Sequence, residues 1–466
     1  MDAAAIYGTA FSQGLRPESR LTVSEWADKY RLLSQRASAE AGRWRTTRTP
    51  YLREIMDSLS SSSPYERVVF MKGAQIGGTE CGNNWLGYII HHAPGPVMSI
   101  QPTVEMAKRN SKQRIDPLIE ESPVLRDLVQ SPRSRDSGNT ILSKEFPGGV
   151  LVMTGANSAV GLRSMAARYL FLDEVDAYPL DVDGEGDPIV LAMARARTFA
   201  RRKIFLCSTP LSSGSSRIES AYEESDKRRY FVPCPFCNHF QVLEFARIRW
   251  ENKDPDTAAY FCVACEARIE NHQKTVMLEH GEWRPNAVGD GRTAGFHLPS
   301  YYSPVGWFSF ADAARMFISA STKGAQQLLR VFTNTVDAST WKELGEAPDW
   351  QRLYERAQAE ALPYNRKVPQ PGLFLTAGAD VQKDRIEVQV VAWGRGKESW
   401  LIDYEVLAGD TSRPEVWDKL TEYAGRSFTH ESGTDLPITR LAIDSGAETQ
   451  MVYSWVRSQD ASGVLA

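Results

Sequence analysis

Val68-Val69-Phe70-Met71-Lys72-Gly73-Ala74-Gln75-Ile76-Gly77-Gly78-Thr79 decides the fold. A short apolar run enters a glycine-rich turn, and the residues after Thr79 have helical character. A phosphate loop reads G-x-x-x-x-G-K-[ST]. Aligned on Thr79, Gly77 holds the sixth position, Gly78 stands where lysine is expected, and Lys72 stands where the first glycine is expected. The physics survives that exchange. Glycines let backbone N–H groups turn toward phosphates, the helix N-terminus adds its dipole, and a lysine at the loop's start still reaches them. Taken alone, the stretch is equally compatible with an ordinary strand-to-helix turn.

Downstream, Tyr169-Leu170-Phe171-Leu172-Asp173-Glu174 is an apolar strand ending in two carboxylates. Nucleotide hydrolysis needs one carboxylate near Mg²⁺ and another to orient the attacking water, roles that suit Asp173 and Glu174. Cys207-Ser208-Thr209-Pro210 follows a further apolar run, Lys203 to Leu206. Hydroxyls at such a strand end can sense a γ-phosphate, although the tripeptide is also a plain turn before proline. With Val97–Ile100 and Val150–Met153, these runs alternate with helical segments. The expectation is an α/β fold, a P-loop ATPase with a parallel-rich sheet and helices on both faces.

Outward from this core the chain reads as five parts. Residues 1–65 are a helical lead-in, with Ser24 opening one helix and Tyr51 to Leu59 forming another. Residues 66–225 read as the ATPase, 226–285 as a zinc ribbon, 286–370 as a linking region, and 371–466 as an RNase H-like nuclease domain. The ribbon rests on Cys234-x-x-Cys237, 24 residues, then Cys262-x-x-Cys265. Two turns presenting two thiolates each close a tetrahedron around a structural Zn²⁺. Cys81 and Cys207 read as small buried residues. In the last part, Asp380 and Asp444 each end a strand, as carboxylates converging on two divalent metals require. Asp403 is a further candidate, or a simple strand end. The aromatics Trp283, Phe296, Tyr301, Tyr302, Trp307 and Phe308 read as packing groups.

The 466 residues carry 54 Lys+Arg and 58 Asp+Glu, a net charge of −4, so the chain is no polycation, though a local groove of Lys and Arg is enough to hold phosphates. Lys108, Arg109, Lys112 and Arg114 are one candidate stretch, or a solvated helix face. Arg163 is a candidate charge-stabilising arginine, or a surface ion pair. No apolar run reaches 18 residues and no secretory pattern opens the chain, which predicts a soluble, intracellular protein.

The order of motifs resembles the large terminase subunit of tailed phages, in its lambda-like GpA form. The resemblance is carried by Gly42-Arg43-Trp44, the Lys72-first loop, Leu172-Asp173-Glu174, Ser208-Thr209-Pro210, Cys234-Pro235-Phe236-Cys237, Phe332-Thr333-Asn334-Thr335, Thr376 to Asp380 and Glu398 to Asp403. It implies an ATP-driven motor packaging double-stranded DNA into a procapsid, joined to an endonuclease using Mg²⁺ or Mn²⁺ that cuts concatemers. It further implies a small terminase subunit, a portal protein, homo-oligomeric assembly and the bacterial host cytoplasm. By position, Lys72, Gly77, Gly78 and Thr79 bind ATP and Mg²⁺, Glu174 is the catalytic carboxylate, and Ser208-Thr209 couples. Only 466 − 444 = 22 residues follow Asp444, where the family continues through more strands and another acidic residue. The expectation is therefore an incomplete nuclease with absent or poor nicking. A helicase-type ATPase and a non-enzymatic zinc-stabilised adaptor are the rivals.

Overall fold

The computed structural model describes residues 20–36, 38, 40–129, 139–321, 325–342, 366–446, 448–459 and 464–465. The chain divides into two units, residues 1–343 and 344–466.

The first unit is built on a ten-stranded sheet. Its strands in chain order are β1 (Arg67–Lys72), β2 (Val97–Gln101), β3 (Ser143–Phe146), β4 (Gly149–Gly155), β5 (Tyr169–Asp173), β6 (Lys203–Ser208), β7 (Arg228–Pro233), β8 (Phe240–Val242), β9 (Glu282–Arg284) and β10 (Thr293–Leu298). The spatial order is β8-β7-β10-β1-β6-β5-β2-β4-β3, with β9 also pairing β7. From β7 to β4 every neighbouring pair on that path is parallel, and the antiparallel pairs lie at the two margins. The parallel-rich sheet expected from the sequence is thus present. Its centre is buried on both faces, so β2, β5 and β6 are covered along their whole length, which is why they read as unbroken apolar runs. Phe171 and Phe205 stack across β5 and β6 at 5.4 Å, and Trp85 packs edge-on against Tyr169 and Phe205.

Strands β7 and β9, from the span read as ribbon, and β10, from the span read as linking region, all belong to this sheet. Trp283, Phe296, Tyr301 and Tyr302 are buried, whereas Trp307 is 41% exposed. In the lead-in, the helix Val23–Tyr30 is capped by Thr22 rather than opened by Ser24: the Thr22 hydroxyl accepts from Glu25 N and the Glu25 carboxylate accepts from Thr22 N. That reciprocal pair satisfies two otherwise orphaned N–H groups, which a serine two residues later cannot do.

The second unit holds a six-stranded sheet. Its strands are β11 (Phe374–Val381), β12 (Arg385–Trp393), β13 (Ser399–Ala408), β14 (Ser427–Thr429), β15 (Asp435–Ile443) and β16 (Val464–Leu465). The order is β13-β12-β11-β15-β14, with β16 beside β15. Leu375, Ala377, Ala379 and Val381 alternate inward and pack in one cluster with Trp417 and Leu420 of the helix Pro414–Ala424 and Val452 and Trp455 of the helix Thr449–Ser458. No helix among the described residues is long and apolar enough to cross a membrane.

Candidate functional site

The first site forms where β1, β5 and β6 end. In open α/β sheets ligands sit outside the carboxyl ends of parallel strands, because loops and helix N-termini converge there. The loop leaving β1 enters the helix Gly78–His91 through Gly77, at φ 89° and ψ 14°, a left-handed conformation that favours glycine. Gly78 is glycine for a different reason. A Cβ there would lie 2.6 Å from Cδ and Cε of Lys72 and from Sγ of Cys207. The Lys72 side chain therefore runs through the space that a side chain on residue 78 would take, which is the physical meaning of the displaced lysine.

Lys72 Nζ stands 2.9 Å from Oε1 of Glu174. The other Glu174 oxygen accepts from Thr209 N at 3.4 Å and Ser208 Oγ at 3.5 Å. Thr79 Oγ1 donates to Asp173 Oδ2 at 3.1 Å, and Gln101 Nε2 donates to the same oxygen at 3.3 Å. The eight residues named from sequence for this site (Lys72, Gly77, Gly78, Thr79, Asp173, Glu174, Ser208, Thr209) thus lie in one place. Glu174 adopts φ 53° and ψ 53°, held by its N–H on Cys207 O at 2.7 Å. A non-glycine residue in that region is strained, and such strain collects at functional turns.

Asp173 is 3% exposed, and its Oδ1 has no hydrogen-bond partner among the described residues. Burial, then the neighbouring Glu174 charge, raises its pKa. Burial works to lower the pKa of Lys72, but the surrounding Cys207, Glu174 and Asp173 outweigh it and leave it raised. Lys72 is therefore a firm cation in a poorly solvated acidic corner.

Sequence reasoning missed three supports. Gln101 ends β2 and reaches Asp173. Asp176, just past the acidic pair, accepts from Leu211 N, Ser216 Oγ and Ile218 N, binding the turn to the segment after Thr209. Leu298, Ser300 and Thr335 brace the loop itself: Gly73 N donates to Leu298 O, Ala74 N to Thr335 O, and Ser300 Oγ lies 2.9 Å from Ala74 O. The Phe332–Thr335 motif was the only sequence signal of that brace.

A cavity of about 340 Å³ opens against Gly77, lined among others by Arg43, Trp44, Arg48, Glu80 and Trp307. Of the basic candidates, Lys108 is paired with Glu105, Arg114 with Glu80, and Arg163 with Glu185.

The four cysteines of the ribbon offer Sγ atoms within 4.8 Å of one another. Cys234 and Cys265 are 3.9 Å apart, and Cys237 and Cys262 3.8 Å. A tetrahedron with metal–sulfur bonds of about 2.3 Å has edges of about 3.8 Å, and a disulfide would need about 2.05 Å. Both turns carry the same support: Phe236 N points to Cys234 Sγ and Ala264 N to Cys262 Sγ. Cys81 and Cys207 are buried, as read.

In the second unit, Ala379 pairs Ile443 in parallel, so Asp380 and Asp444 lie side by side at adjacent strand ends. Both line a cavity of about 530 Å³. Glu387, directly across from Asp380 on β12, lines it too and was not read from sequence. Hydrogen bonds from Tyr404 and Arg385 lower its pKa. Asp403 does not join them. A register shift between β12 and β13 falls at Ile402, and Asp403 is 7% exposed with Oδ2 accepting from Tyr423 OH at 2.8 Å. The bulge turns it to the helix-covered face, so its role is to anchor the helix Pro414–Ala424.

Comparison with known proteins gives the family. The model of the phage terminase large subunit gpA ATPase domain matches residues 38–283, and that of the terminase large subunit gpA endonuclease domain matches 293–466. The large terminase subunit of Enterobacteria phage P21 is 28% identical over 96% of this chain and 72% of its own length. That of Escherichia phage lambda is 29% identical over 94% and 70%. A crystal structure of the HK97 bacteriophage large terminase aligns over 96% of this chain and 85% of that one, with a TM-score of 0.47 and 10% identity. The endonuclease match begins at β10, inside the sheet of the first unit. The two matched domains imply use of a nucleotide and of divalent metal, with DNA and packaging partners. The chain belongs to the gpA family of phage terminase large subunits, an enzyme with an ATPase domain and an endonuclease domain that serves phage DNA packaging.

Proposed function

We propose that Lys72, Gly77, Gly78 and Thr79 hold the phosphates of ATP, and that Glu174 activates the attacking water. The observation that carries this reading is the contact of Lys72 with Glu174 beside the Thr79–Asp173 pair. Thr79 and Asp173 suit Mg²⁺, for which the unpartnered, buried Oδ1 of Asp173 is a fitting ligand. Mg²⁺ supplies charge neutralisation at the β- and γ-phosphates. Lys72 exchanges Glu174 for the γ-phosphate when nucleotide binds, which frees the carboxylate to orient water and take its proton. The water oxygen bonds to the γ-phosphorus as the bond to the β–γ bridging oxygen breaks, giving ADP and phosphate. Loss of the γ-phosphate restores the Lys72–Glu174 pair. Because Glu174 also touches Ser208 and Thr209, that return shifts the segment Asp176 clasps, and this is the coupling step. The cavity beside Gly77 suits the nucleoside.

Cys234, Cys237, Cys262 and Cys265 hold a structural Zn²⁺. Asp380 and Asp444, with Glu387 beside them, hold the divalent cations, Mg²⁺ or Mn²⁺, of the nuclease. The working assembly is a homo-oligomer in the bacterial host cytoplasm that engages the small terminase subunit and a portal on the procapsid. The test is Mg²⁺-dependent ATP hydrolysis by the purified chain, with and without double-stranded DNA. Turnover stimulated by duplex DNA is expected, and turnover indifferent to DNA at every salt concentration would contradict the motor reading.

A further inference from the structure

The opposite ends of the same strands form a second charged site. Where β1, β5, β6 and β10 begin, a cavity of about 620 Å³ is lined by Arg168, Arg201, Arg202, Lys203 and Arg292 around one carboxylate, Glu66, and the Ser61–Pro64 turn. Glu66 is consumed by Arg202, whose Nε lies 2.5 Å from Oε1. Lys203 directs its ammonium to the carbonyls of Ser58, Ser63 and Tyr65 and meets no carboxylate among the described residues. Burial without a counter-ion lowers its pKa to about 8. Arg168 packs over the Tyr169 ring, donates its Nε to Arg201 O, and has no carboxylate partner among the described residues. Arg201 and Arg292 are exposed, and neither has a carboxylate partner among the described residues.

Three guanidinium groups are therefore uncompensated around a concave surface whose fixed charge is strongly positive. Of the four basic residues in the stretch singled out by the sequence, Lys108 and Arg114 already have carboxylate partners. Guanidinium groups match phosphate oxygens in pairs and are weakly hydrated, so they bind phosphates at little desolvation penalty. The sheet order β10-β1-β6-β5 puts Arg292 and Arg168 at strand starts three positions apart. At about 4.8 Å per strand this is about 14 Å, the axial length of about four phosphates on one DNA strand. The ATP loop lies at the other end of β1, five residue steps or about 17 Å away.

We propose that this pocket grips the phosphate backbone of duplex DNA through Arg168, Arg201 and Arg292, apart from the ATP site. The proposal rests on the packaging reading, in which duplex DNA is the track. Strands β1 and β6 run from the pocket to Lys72 and Ser208, so the grip is mounted on the strands that carry the nucleotide contacts.

The experiment is binding of a fluorescent duplex to the full chain, in EDTA without nucleotide, over 50–200 mM salt. The parent is compared with the Arg168→Gln, Arg201→Gln, Arg292→Gln triple variant and with single Arg292→Glu, which is exposed enough to spare the fold. Three lost phosphate contacts lower the salt slope by about 2.7. Over a fourfold salt range the parent then loses about 40-fold more affinity than the triple variant. Arg292→Glu is expected to lower the slope by about 1. DNA-free ATP hydrolysis and thermal stability should be unchanged in both variants. An unchanged slope in both, with a parent that binds DNA, would overturn the proposal and leave the ATPase assignment intact. So would binding of polyglutamate by the parent that is lost in the triple variant while DNA binding is unaltered, which reassigns the pocket to an acidic protein. Failure of the ATPase assignment shows separately, as absent turnover in a parent that still binds DNA with the expected slope.

Discussion

Placing lysine at position 78 while Lys72 remains is expected to disable the nucleotide loop, because both side chains need one space. A Cβ on residue 78 falls 2.6 Å from Lys72 Cδ and Cε and from Cys207 Sγ. Ordinary heavy-atom contact is about 3.5–4.0 Å, so the overlap is about 1 Å against three atoms. Cys207 is fully buried and cannot withdraw. Overpacking of this kind costs about 1–3 kcal/mol, a fall in Tm of about 1–4 °C for a unit of residues 1–343. Lys72→Ala removes the cation from Glu174 and buried Asp173. Breaking a buried pair costs about 3–5 kcal/mol, and the partial exposure of Glu174 brings this to about 2 kcal/mol. Combined, Lys72→Ala and Gly78→Lys vacate and refill the same volume. The double variant should be at least about 1 kcal/mol more stable than the two single effects predict, and should regain MgATP binding lost in Lys72→Ala. Thermal unfolding and nucleotide-binding titrations of all four proteins measure this cycle. Additive effects, or Gly78→Lys alone matching the parent in both assays, would refute the shared-space reasoning.

Other outcomes follow from the same geometry. The purified chain should carry one zinc ion, lost on Cys237→Ser, with a lower Tm after chelation, as elemental analysis and thermal scans will report. Lys274 is buried against the Tyr301 and Phe308 carbonyls, and burial lowers its pKa from 10.5 to about 7. The unfolded chain then binds the extra proton between pH 7 and 10.5, so stability rises with pH in that window by up to about 1.4 kcal/mol per unit. Below pH 7 both states are protonated and the penalty is fully present. Unfolding of Lys274→Met across pH 7–10 should lack this rise. Asp380→Asn should abolish the Mn²⁺-induced rise in Tm with little effect on metal-free stability. Asp403→Asn should do the reverse, losing about 1–2 kcal/mol through Tyr423 and Arg366 while keeping the Mn²⁺ response.

The sheet centre was legible because burial on both faces leaves continuous apolar strings, and Lys72, Asp173 and Glu174 sit at their ends. The cysteines were legible because ligand spacing is itself geometry. What stayed hidden was long-range pairing. Nothing local in Thr293–Leu298 says that it inserts between β7 and β1, or that Ser300 and Thr335 will brace the loop. Glu387 becomes a neighbour of Asp380 only through hairpin register. The sequence left Asp403 open between a metal ligand and a strand end, because the bulge at Ile402 that turns it to the helix-covered face is set by pairing with β12. The basic pocket at the strand starts is assembled from four separate segments, so no charge run in the sequence announces it.

The central claim is that Glu174 carries water activation while Lys72 and Thr79 carry binding. Its most direct test is Glu174→Gln in parallel titration and turnover assays with MgATP. Near-parental binding is expected, with hydrolysis reduced at least about 100-fold. Retained hydrolysis in Glu174→Gln would contradict it.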